Sequence, residues 1–140
     1  MVIFALPDAV QPRCVLEYDE PNRWLRATWR GFVSTELAAR SAEQYLVSPP
    51  VMACAYLLND NTTLHGPWFD SAAWLQDVWA PQAAAVGLRY IAHVVQRDAG
   101  ADVLSVQFPT GTTIPVQLQL FYDVQQAEEW LRSCQAEANA

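Results

Sequence analysis

From Leu25 to Arg30 apolar and polar residues alternate strictly, Leu25, Ala27 and Trp29 against Arg26, Thr28 and Arg30. This is the period-two pattern of a half-buried strand. A second strand is predicted from Cys14 to Tyr18. The intervening Asp19, Glu20, Pro21 and Asn22 supply turn chemistry, so the two strands form an antiparallel hairpin. Past Gly31, Ser34 is placed to cap a helix in which Leu37, Ala38, Ala42, Tyr45 and Leu46 recur at three- and four-residue steps until Pro49 and Pro50 stop it. Met52 to Leu58 is continuously apolar, as expected of a central strand covered on both faces, and Tyr90 to Val95 has the same character. Between them Asp70 or Ser71 can open a helix with Trp74, Leu75, Val78 and Trp79 on one stripe. Pro81 kinks or restarts it and Gly87 closes it.

Helix between two buried strands is a βαβ crossover. Residues 97–113 hold a short helix around Val103 to Phe108, and Val116, Leu118 and Leu120 then alternate with glutamines in a strand nearer an edge. Asp123 with Gln126 resembles a capping box that opens a last helix with Val124, Ala127, Leu131 and Cys134 on one face. Pro7, Asp8 and Pro12 break residues 1–13 into an extended N-terminal arm. The expectation is therefore one α/β domain over residues 14–136, a mixed sheet of about five strands in the order ββαβαβ(α)βα. Its two central strands are parallel neighbours.

Composition narrows the function classes. The chain has 140 residues, 15 acidic against 8 basic, and every cation is an arginine. Without lysine there is no Schiff-base chemistry, no Walker lysine and no kinase-core lysine. A net charge of −7 disfavours nucleic acid and anionic membranes as partners. No apolar run approaches the roughly 18 residues that span a bilayer, and Met1 to Leu6 is too short for a signal peptide, so a soluble cytoplasmic protein is expected. Three cysteines, Cys14, Cys54 and Cys134, all fall on apolar faces and read as buried, inert thiols. No cofactor motif and no metal-ligand spacing occurs.

Candidate chemistry is concentrated in Asn59, Asp60, Asn61, Thr62, Thr63, His65 and Asp70, placed where a buried strand hands over to a helix, the usual ligand crevice of an open α/β sheet. His65 with Asp60 or Asp70 has the composition of a base and its orienter. The same residues equally serve turns and caps. His93, inside an apolar strand, is expected to be a hydrogen-bonded core histidine. Trp68, Phe69, Trp74 and Trp79 lie so close in sequence that one helix face cannot bury them all, which makes them candidates for partner or apolar-ligand contact. Glu17 is placed to pair with Arg26 or Arg30 across the hairpin.

The order of elements carries a resemblance. Tyr18 and Asp19 before the hairpin turn, Trp29 to Gly31 after it, Leu57 to Asp60, Trp74 to Pro81, and Phe121 to Leu131 with its Trp130-Leu131 pair are its marks. On these the chain, from about Val15 to Cys134, resembles small bacterial STAS/SEC14-like proteins, also described as sporulation anti-sigma-antagonist-like. The resemblance implies a STAS-like fold. The missing motifs and the aromatic excess fit a non-catalytic interaction or regulatory module, a homodimer or a binder of another protein, using the surface around Trp68 and Phe69. In the anti-sigma antagonists a serine that follows an aspartate at a helix start is phosphorylated by the partner kinase, and Asp70-Ser71 is the nearest match here. Ser71 is thereby the implied phospho-switch, although Ala72 and Ala73 follow where that family has a glycine-containing signature. The alternative class is a small-molecule site, either for an apolar ligand, as the SEC14-like name implies, or for hydrolysis by His65 and Asp60.

Overall fold

The computed structural model describes residues 2–6, 12–48, 54–65, 78–96 and 116–138. Among these residues six strands form one sheet: β1 (Val2–Leu6), β2 (Cys14–Asp19), β3 (Trp24–Gly31), β4 (Tyr56–Leu64), β5 (Tyr90–Val94) and β6 (Gln117–Phe121). They lie side by side in chain order. β2 runs antiparallel to both β1 and β3, whereas β3 to β6 are mutually parallel. Three helices accompany them among the described residues: α1 (Thr35–Val47), α2 (Ala80–Ala85) and α3 (Val124–Ala138).

Local sequence explains the element ends. The Ser34 hydroxyl accepts the Leu37 N–H at 3.1 Å, satisfying one of the N–H groups that the first turn of α1 leaves unpaired. Asp123 does the same for Gln126 at 3.1 Å ahead of α3. Pro81 falls in the first turn of α2, where its missing N–H costs nothing, and Gly87 leaves the following turn at φ +114°. In the β2–β3 turn the Asp19 carboxylate accepts both the main-chain and side-chain N–H of Asn22, and its carbonyl accepts from Arg23 at 2.7 Å.

The sheet separates two cores because successive strand residues point to opposite faces. Cys14, Leu16, Leu25, Ala27, Trp29, Leu57 and Ile91 pack with Ala38, Ala42 and Tyr45 of α1 and with Ala80, Ala83 and Ala84 of α2. One residue along each strand, Trp24, Leu58, Ala92 and Val94 join Phe121 beneath Ala127 and Leu131 of α3. Aromatic contacts tie the parallel strands together on this second side: Tyr56 stacks on Tyr90 at 5.4 Å, and Trp130 meets Tyr90 edge-on at 6.1 Å. Toward its end α3 reaches the hairpin, with Arg132 lying 5.4 Å from the Trp24 ring centre and Gln135 donating to the Asn22 carbonyl.

The expected βαβ pairing is present, β4 and β5 being parallel neighbours from Tyr56↔Tyr90 to Asp60↔Val94. Two expectations are corrected. Val2–Leu6, expected within an extended arm, is β1, a sixth strand paired to β2. Its uninterrupted apolar residues form the strand, and the breakers at positions 7, 8 and 12 act only after it. The strand expected at Met52 to Leu58 is displaced to Tyr56–Leu64, so the polar run after Leu58 is strand and not crossover loop. The expected helix starts at Asp70-Ser71 and around Val103 lie outside the described residues.

Gly31 sits at φ +63°, and a Cβ there would fall 1.9 Å from Arg13 Nη1. Replacing Gly31 by Ala should therefore lower unfolding stability by about 1–2 kcal/mol, from left-handed backbone strain plus displacement of the arginine. Urea denaturation of G31A, with and without R13A, checks this: R13A should relieve the steric part and leave the backbone part.

Candidate functional site

β4 brings polar residues into the centre of the sheet. Asn59, Asp60 and Asn61 are all buried, and in register Asn59 lies between Ala27 of β3 and His93 of β5. The strand tolerates them because of a bulge. The step from Thr28 to Arg30 on β3 is matched by the longer step from Asp60 to Thr63 on β4, which leaves the ladder locally short of partners. Side chains make up the deficit. Asp60 Oδ1 accepts the Thr62 N–H at 3.0 Å and its hydroxyl at 2.7 Å, Thr63 donates to the Trp29 carbonyl at 3.1 Å, and the Gln96 amide donates to the Thr62 carbonyl.

On the α1/α2 face this arrangement builds a neutral hydrogen-bond array. Trp29 Nε1 donates to Asn59 Oδ1 at 2.9 Å. The Asn59 amide nitrogen then uses both hydrogens, one on Asn61 Oδ1 at 3.1 Å and one on His93 Nδ1 at 2.9 Å. An indole nitrogen can only donate, so Trp29 fixes which way Asn59 points, and Asn59 in turn requires His93 Nδ1 to be an acceptor. His93 is thus neutral with its proton on Nε2. Burial at 1% exposure works in the same direction, lowering its pKa to about 4. Asn61 is fully buried, and its amide donor Nδ2 has no partner among the described residues.

The opposite face carries charge. Arg26 Nη2 meets Asp60 Oδ2 at 3.0 Å, with the arginine partly exposed and the aspartate buried. Glu17 stands opposite Arg26 in the β2–β3 register, as the sequence suggests, but the arginine's ion pair is with Asp60. Beside it an open depression of about 490 Å³ is lined by Glu17, Tyr18, Asp19, Glu20, Pro21 and Arg26.

The proposed partnership of Asp60 with His65 is not assembled. Both Asp60 oxygens are occupied by Arg26 and Thr62, while His65 is exposed just past β4, its N–H donating to the Gly31 carbonyl and its ring 6.2 Å from that of Phe32. Trp79, expected at a contact surface, is buried at 8% exposure. Its indole N–H donates to the Ala42 carbonyl at 2.9 Å and its ring packs on Tyr45, which makes it the pin between α1 and α2. Trp68, Phe69, Asp70, Ser71 and Trp74 lie outside the described residues. Among those that are described, no three His, Cys, Asp or Glu side chains gather as a metal site, and no helix is long and apolar enough to cross a membrane. Cys14, Cys54 and Cys134 are free and buried, and burial raises all three thiols, Cys14 to about 12.

Sequence reasoning placed His93 in the core but missed the Asn59–Asn61–His93 array and the Arg26–Asp60 pair. The signal was the two-residue spacing of Asn59 and Asn61, which puts both on one face of a strand once the segment is recognised as a strand. Comparison with known proteins returned no matching family model, no matching curated protein and no matching solved structure.

Two measurements check this geometry. Because the folded pKa of His93 lies below its ordinary 6.5, the unfolded chain takes up a proton that the folded chain refuses as pH falls from 6.5 towards 4. Stability should drop over that window by roughly 2–3 kcal/mol relative to His93→Gln, which keeps an acceptor for Asn59 but does not titrate. Equal acid sensitivity of the two proteins in urea unfolding would contradict the assigned tautomer. In a thiol titration the native protein should react slowly at all three cysteines, and rapidly once denatured.

Proposed function

We propose that the domain is a non-catalytic, STAS-like interaction module that associates with itself. The observation that carries this reading is the commitment of Asp60: one oxygen serves Arg26 and the other serves the β4 bulge, so the carboxylate most favourably placed for acid–base work is spent on holding the sheet. His93 is likewise engaged inside the core through Nδ1. The sequential mixed sheet, with α1 and α2 on one face and α3 on the other, supports the likeness to the STAS-like proteins. Phe32 at 76% and Val2 at 59% exposure are apolar side chains that stand at the surface at separate places. Nucleic acid is disfavoured by the charge of −7, and self-association rests on the sequence aromatics Trp68, Phe69 and Trp74 as contact residues.

Native mass spectrometry of the protein as purified from cells is the test. The expected result is a dimer with no retained small molecule. A monomer carrying a stoichiometric ligand would replace this reading with the small-molecule one.

A further inference from the structure

The depression beside the hairpin has a volume of about 490 Å³, within the roughly 300–1,000 Å³ of small-molecule sites, and all its lining residues belong to the described part of the chain. Both signs of charge stand in it. Arg26 is anchored from the sheet: Asp60, at 6% exposure, accepts from Nη2 at 3.0 Å and is itself fixed by the N–H and hydroxyl of Thr62. A buried ion pair adds little stability over an apolar pair, so what this carboxylate supplies is the position of the guanidinium, whose side chain stays 30% exposed. A guanidinium has five N–H donors, and Asp60 engages only one of its nitrogens.

Glu17 is the direct cross-strand neighbour of Arg26, which places the two side chains on one face of the sheet with Cβ atoms about 5 Å apart. They form no ion pair with each other, and neither Glu17 nor Glu20 has a hydrogen bond or ion pair among the described residues. Asp19, by contrast, is occupied by Asn22, which donates to both of its oxygens. The depression therefore offers guanidinium N–H groups and an unpaired carboxylate a few ångströms apart.

We infer that this depression binds a small zwitterion of the α-amino acid type, its carboxylate on Arg26 and its ammonium on Glu17. An anion alone meets the open carboxylates of Glu17 and Glu20, and a cation alone meets the charge of Arg26 and leaves its donors unmatched. A molecule that carries both groups on one carbon satisfies both partners at the spacing the register sets. The rest of the ligand lies against Tyr18 and Pro21. The site does not depend on the self-association proposed above. Because the depression is open, its ligand exchanges with solvent and is not retained through purification.

Heteronuclear NMR titration of the isotope-labelled full chain with l-leucine, l-leucinamide and N-acetyl-l-leucine is the test. Leucine should cause saturable shifts in residues 17–26 in the millimolar range, and each derivative, lacking one of the two charges, should bind at least about 10-fold more weakly. Glu17→Gln and the double variant R26Q/D60N, which removes the arginine without stranding a buried carboxylate, should weaken leucine binding by about the same factor while circular dichroism shows them folded. If the double variant fails to fold, Glu17→Gln and the two derivatives decide. No saturable shift at the solubility limit of leucine overturns the site, as does binding that Glu17→Gln leaves unchanged. Either derivative binding as tightly as leucine overturns the zwitterion as its ligand.

Discussion

The donor-only character of one indole nitrogen sets the order of the centre of this protein. Trp29 must give its hydrogen to an oxygen, Asn59 supplies that oxygen, and the Asn59 amide is thereby turned so that both its hydrogens face acceptors on Asn61 and His93. Three strands, β3, β4 and β5, are joined by this chain of side chains in addition to their backbone ladders. Inside a low-dielectric core such a network is strong when complete and costly when broken, because each lost partner leaves a buried polar group unpaired. The neutrality of His93 follows from the same arrangement, since a proton on Nδ1 would set donor against donor.

Strand alternation along β4 makes the two faces of the sheet chemically different. It holds Asp60 on the side of Leu58 and α3, where the carboxylate meets Arg26, and keeps Asn59 and Asn61 on the side of α1 and α2. A charged group among Asn59, Asn61 and His93 would be buried without a counterion, whereas Asp60 has both a partly exposed arginine and the bulge N–H to bind. The polar content of β4 is thus divided by charge: neutral amides on the fully covered face, the ion pair on the face that opens toward the hairpin. Trp79 performs the corresponding task between helices, its apolar ring filling the space beside Tyr45 and its N–H closing on the Ala42 carbonyl.

Much of the architecture was legible in the residues because it depends on local chemistry. The alternation at Leu25–Arg30, the caps at Ser34 and Asp123, Pro81 and Gly87 bounding α2, and the parallel pairing of two apolar runs all follow from periodicity and capping, which act over a few residues. The run Asn59–Thr63 defeated the same reasoning. Asn, Asp and Thr signal a turn because their side chains bond nearby backbone, and Asp60 does bond Thr62 in that way, yet the result here is a bulged strand and not its end. What keeps it a strand is distant: Arg26, Trp29, His93 and Gln96 supply the partners, each about thirty residues away in sequence.

By itself the sequence determined a single mixed sheet with helices, the hairpin, the parallel pair, the absence of lysine chemistry and the apolar siting of the cysteines. These depend on residue type and short-range spacing alone. Only the tertiary structure decided that Val2–Leu6 is an edge strand, that Asp60 belongs to Arg26 and not to His65, that Trp79 lies in the core, and that His93 is held neutral by Asn59. An edge exists only once a sheet has an order, and a partner for a buried polar group is chosen by which strands become neighbours. Both are properties of contacts between distant segments, and no short stretch of chain contains them.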